Sequence, residues 1–162
     1  MPIFLLLTQI ASTWFMTGLI WFVQVVHYPL YDRIGAQNFC IYERDHCALT
    51  TMVVAPVMVV ELFSAILLVV ARPKSLGLTE VLSGLLLLGI IWISTLFIAD
   101  NYHGQLSTGF SGEPYKALLA ANWLRTVCWS LRGALVIHVL EKHGSLSATV
   151  SAAALPWHLF AL

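Results

Sequence analysis

Charge is what this sequence has least of. Eight Lys and Arg and eight Asp and Glu make up only 10% of 162 residues, with formal net charge zero, whereas an ordinary soluble domain is roughly a quarter charged. There is neither a basic surplus nor a Lys/Arg cluster to track a phosphate backbone, so nucleic acid is excluded as a partner. No glycine-rich motif of the flavin- or nicotinamide-binding kind occurs. Internal repeats, low-complexity tracts and domain boundaries are also lacking. Cysteine is scarce, with three residues. Cys40 and Cys47 fall on one side of the expected membrane, as a disulfide or as free thiols, and Cys128 lies inside an apolar run as a small packing residue.

Apolar residues are what the chain has instead, 59% of it. A membrane-spanning helix needs about 20 mostly apolar residues, and four segments meet that length: Ile3 to about Val26, Cys47 to Ala71, Leu78 to Ala99, and Tyr115 to Leu140. The first has no basic flank and no small-residue cleavage pattern, so a mature helix is expected rather than a signal peptide. The expected fold is an all-α polytopic membrane protein, a four-transmembrane-helix up-down bundle over 1–143. Residues 144–162, rich in small side chains and containing Pro156, are expected to be interfacial or loosely ordered rather than a fifth span.

The connection "ARPKSLG" is short, with Pro73 and Gly77 as breakers. "HYPLYDRIGAQNFCIYERDH" and "DNYHGQLSTGFSGEP" are longer and polar. Up-down connectivity puts both long connections on one membrane side, the loop face. Arg72, Lys74 and Lys142 on one side balance Arg33, Arg44 and Lys116 on the other. The positive-inside rule is therefore undecided, and the working orientation places the termini in the cytoplasm.

Three of the four runs carry polar stripes. In "NWLRTVCWSLRG", Asn122, Arg125, Trp129 and Arg132 fall within an arc of about 80° on a helix. Ionisable groups inside a membrane face the bundle interior and find partners. Glu61 lies about 21 Å below Cys47 and Arg132 about 22 Å below Ala117 at 1.5 Å per residue, so a buried Glu61–Arg132 pair is expected, with Trp129 stacked on a guanidinium. Glu61 shares its face with His46, Thr50 and Ser64. In the first run Gln9, Thr13, Thr17, Gln24 and His27 share an arc of about 80°. Such groups serve as glue between helices or mark a site.

His27 ends the first run, His46 opens the second and His103 follows the third, so all three reach the loop face. Imidazoles from separate helices at one level suit a zinc, copper or iron ion or a haem iron, with Tyr42 and Tyr102 beside them. Asn122 and Arg125 enter the same region from the fourth helix. His138, His143 and His158 lie elsewhere, as interfacial residues.

"VVHYPLY", "F-x-x-Y-x-x-x-H", "PVMVVEL", "HGQLSTGF" and "NWLRTVCWSLR" together resemble a group of small bacterial four-helix integral membrane proteins of unassigned function, over the chain to about Leu140. More distantly they resemble the anthrone oxygenase-like membrane proteins, which pair a His-Pro-type element after the first helix with Asn and Arg in the last. The resemblance implies that His27, His46, Glu61, His103, Asn122, Arg125 and Arg132 are the positions that matter, and it supplies no substrate.

Two functional readings follow. In the first, a loop-face pocket binds a transition metal, haem or small hydrophobic substrate such as a quinone. His27, His46 and His103 are ligands or acid/base groups there, Arg125, Tyr42 and Asn122 are catalytic, and the chemistry is of oxidoreductase or oxygenase type. In the second, the chain is a non-catalytic subunit or small-molecule binder, in a homo-oligomer or a larger membrane complex. Conduction through Gln9, Thr13, Glu61 and Arg132 is disfavoured, because an ion-paired carboxylate plugs the path.

Overall fold

The computed structural model describes residues 3–72 and 76–142, and these are helical apart from short turns, with no strand among them. The tail 144–162 lies outside the described residues. Four rods follow one another. The first is α1 (Ile3–Phe22), continued by a π turn (Val23–His27) and a 3-10 segment (Tyr28–Arg33). The second is α2 (Ala36–Val70). The third is α3 (Leu78–Ile93), a second π turn (Ser94–Ala99) and α4 (Asp100–Leu106), and the fourth is α5 (Gly112–Lys142). They form a closed ring in which α1 touches α2 and α5, and α3 touches α5 and α2.

Three rods are long and apolar enough to cross a membrane: Phe4–Arg33, Ala36–Val70 and Leu78–Leu106. The fourth, the expected span from Tyr115 to Leu140, is long enough but is not a candidate span among the described residues, because Asn122, Arg125, Arg132 and its neighbouring polar groups dilute its hydropathy. Those groups point inward. Asn122, Arg125, Thr126 and Arg132 are all buried, while Trp123, Leu124, Val127 and Leu131 are exposed. The outer surface elsewhere is equally apolar, with Phe4, Leu49, Met52, Phe63, Leu86 and Phe97 open. This is the inverse of a soluble bundle, as a lipid-solvated surface requires.

The long connections are more helical than their polarity suggested. α2 begins at Ala36, eleven residues before Cys47, so most of "GAQNFCIYERDH" is helix, and Asp100–Leu106 forms α4. Helix propensity and burial of Phe39 and Glu43 on one face carry α2 beyond the apolar run. Cys40 and Cys47 are free thiols. Seven residues apart on one helix, their Cα atoms are separated by about 10 Å, beyond the roughly 7 Å a disulfide spans.

Both π turns have local causes. Pro29 has no N–H to continue an α-helical ladder, and Tyr28 N–H bonds Val23 O, five residues back. In the third rod the Thr95 hydroxyl bonds Ile91 O at 2.8 Å, and Asp100 N–H reaches back to Thr95 O. Such turns re-aim the side chains that follow and recur at functional sites. Here one ends at His27, just before Tyr28, and the other precedes His103.

α5 packs against α1 at Gly133, where an added Cβ would lie 3.5 Å from Trp14 and 3.6 Å from the Thr17 hydroxyl. That is ordinary contact, so Gly133→Ala should melt like the wild type. Gly133→Leu should cost about 1–3 kcal/mol by overpacking this seam. Thermal unfolding in detergent distinguishes them, and a Leu variant as stable as wild type would show that the seam is not tightly packed.

Candidate functional site

Polar side chains collect at two levels inside the ring. The deeper level centres on Glu61, fully buried. Its Oε1 accepts from the Thr13 hydroxyl at 2.7 Å and from Arg132 Nε at 3.1 Å, and its Oε2 accepts from the Trp129 indole N–H at 3.1 Å. Arg132 adds a second contact through its NH2 at 3.0 Å and donates through NH1 to Gly84 O. Gln9 joins Thr13 to Ser64 at 3.1 and 2.8 Å. Glu61 and Arg132 thus form one fully hydrogen-bonded pair spanning α2 and α5. Trp129 meets it through its N–H and not, as expected, by stacking on a guanidinium.

The upper level lies at the loop-face end. His27 Nε2 and His46 Nδ1 are 2.8 Å apart with the rings stacked, centroids 4.4 Å apart, and Thr50 Oγ1 sits 3.1 Å from the same His46 nitrogen. His103 is a near neighbour, 5.4 Å from His46 between ring centroids, but its nitrogens are engaged elsewhere. Nδ1 lies 2.6 Å from Glu43 Oε1, and Nε2 lies 3.0 Å from the Tyr28 hydroxyl. The three imidazoles therefore converge as a pair plus one. Glu43, Cys47 and His103 form a separate group that could hold a metal ion, with donor atoms all within 4.8 Å of one another. The Cys47 thiol is 3.8 Å from Glu43 Oε1, and the buried Tyr31 hydroxyl lies against the same carboxylate.

Asn122 and Arg125 do reach this level. Asn122 Nδ2 donates to Gln24 Oε1 at 2.7 Å, and Arg125 NH2 donates to Asn122 Oδ1 at 2.9 Å. Tyr28 lies beside the guanidinium, whose buried Nε has no partner among the described residues. Arg125 has no carboxylate within ion-pair distance among those residues. A chain of contacts therefore runs from Glu43 through His103 and Tyr28 to Arg125, with an acid at one end and a cation at the other. Tyr42 joins by ring packing alone, stacked on His46 and His27 at 6.4 and 6.2 Å. Tyr102 packs in the aromatic layer with Tyr28, Tyr31 and Phe39.

Glu43, Cys47, Tyr28 and Tyr31 are the site residues that the sequence reading missed. A signal for the first was present: Glu43 and His46 form a Glu-x-x-His pair, the i, i+3 spacing by which helix bundles present metal ligands on one face. No family model, curated protein or solved structure matches the chain.

Proposed function

We propose that this is a four-span integral membrane protein whose loop-face chamber binds a transition-metal ion and holds a small hydrophobic molecule from the bilayer for oxidoreductase-type chemistry. The observation that carries it is the meeting of Glu43, Cys47 and His103 donors within 4.8 Å. Thiolate, imidazole and carboxylate together suit zinc, copper or iron, and three protein ligands leave a position for substrate, the pattern of catalytic sites. A bare ion fits better than a haem, since the direct His27–His46 contact leaves no gap for a macrocycle between them. α5 crosses with its buried Asn122, Arg125 and Arg132 shielded by the other three rods. Arg125, anchored by Asn122, is placed to balance negative charge on an oxygen of the bound molecule.

Detergent-purified full-length protein should carry one metal ion per chain by elemental analysis after exposure to zinc, copper and iron salts. His103→Ala should carry none while keeping its helical content. A wild type without stoichiometric metal would overturn the metal reading and favour a non-catalytic binder or subunit.

A further inference from the structure

An open crevice of about 250 Å³ runs between α1 and α2 below the loop face. Leu19, Phe22, Leu49, Val53 and their neighbours line its length, and His27, His46 and Thr50 stand toward its loop-face end. Phe22, Leu49 and Val53 are 55%, 64% and 50% exposed, so the rim belongs to the apolar surface that faces lipid. The opening is therefore lateral, toward the bilayer.

The histidine pair at its end has a definite hydrogen-bonding capacity. Two neutral imidazoles hold two protons and two lone pairs on their ring nitrogens. The contact between His27 Nε2 and His46 Nδ1 uses one proton and one lone pair. Whichever way that proton points, one N–H and one lone pair remain, on His27 Nδ1 and His46 Nε2, and neither nitrogen has a partner among the described residues. Shifting the shared proton to the other ring, with a compensating proton leaving one outer nitrogen and arriving at the other, keeps both rings neutral and exchanges which donates and which accepts. Neither ring belongs to the proposed metal-ligand set.

From this we infer that the crevice is a binding site for a lipid-soluble quinone or quinol, with its ring against His27 and His46 and its tail along α1 and α2. A carbonyl oxygen takes the free N–H, a hydroxyl gives its proton to the free lone pair, and the exchangeable tautomer lets one site hold either form. Apolar walls with a few placed polar groups are what such a ligand requires. The inference names the substrate class of the hydrophobic molecule proposed above, and rests on that part of the reading without depending on the metal.

The test is retention of a decyl-substituted benzoquinone by full-length protein in lipid nanodiscs, read from quinone absorbance over empty nanodiscs. Wild type should saturate at one quinone per chain. Val53→Trp, which fills the crevice from its exposed rim, should weaken binding at least about tenfold while metal content stays at the wild-type value. The double variant His27→Ala, His46→Ala should also weaken it, and decylbenzene, which has the tail but no oxygens, should not compete. Non-saturable uptake, wild-type affinity in Val53→Trp, or competition by decylbenzene would each overturn the inference. Saturable quinone binding by a metal-free wild type would uphold it and overturn the metal proposal alone.

Discussion

Replacing Glu61 with Ala should destabilise the protein by about 3–5 kcal/mol, the usual result of removing one member of a buried ion pair. The carboxylate accepts from Thr13, Arg132 and Trp129, so its loss leaves a buried guanidinium without its counter-charge and two neutral donors without acceptors. Arg132 is 3% exposed, too enclosed to recover its hydration by moving outward. Glu61→Gln keeps an acceptor but places an amide N–H₂ among three donors, and should fall between Ala and wild type. Changing Glu61 and Arg132 together to Met should recover most of the loss, because two apolar side chains need no partners. The measurement is thermal unfolding in detergent for the four proteins. If Glu61→Ala melted like wild type, the pair would not be holding the helices. If the double variant were as unstable as the single, the cost would come from the Thr13 and Trp129 donors left without an acceptor and not from an orphaned charge.

That contact was legible in the sequence for a simple reason. Depth along a straight helix advances at a fixed rise per residue, and counting from Cys47 and Ala117 put Glu61 and Arg132 at one level. The inward polar stripe of the first rod was readable in the same way: Gln9, Thr13, Thr17 and Gln24 are all buried. The arrangement at the loop face was less accessible. Each histidine stood next to the end of an apolar run, which set its level, but two π turns alter the helical phase just where His27, Tyr28 and His103 emerge. A constant 100° per residue could not show that His103 would turn to Glu43 while His27 turned to His46. Glu43 itself was hidden by hydropathy. It sits among polar residues of "IYERDH", outside the apolar run, although the helix had already begun at Ala36 and its face pointed inward.

Glu43→Gln should weaken metal binding by at least about 100-fold, the upper end of what even an orienting partner of a ligand contributes. Glu43 is fully buried and acts on the site in two ways. Its Oε1 is one of the three donor atoms, and it also sits 2.6 Å from His103 Nδ1 and within reach of the Cys47 thiol. The amide of Gln nearly preserves volume, so packing against Tyr31 and Phe39 should survive and helical content should be unchanged. It presents a neutral, weakly coordinating oxygen beside an N–H₂ that competes for the same imidazole nitrogen. Cys47→Ser should cost less for a hard ion such as iron than for zinc or copper, since it exchanges a soft donor for a hard one. Competition against a chelator of known affinity measures each variant. Combining Glu43→Gln with His103→Ala gives the coupling: ligands of a single ion act as a unit, so the double variant should lose little more than His103→Ala alone. Additive losses would mean that the two residues do not share an ion, and unchanged affinity in Glu43→Gln would remove the carboxylate from the centre altogether.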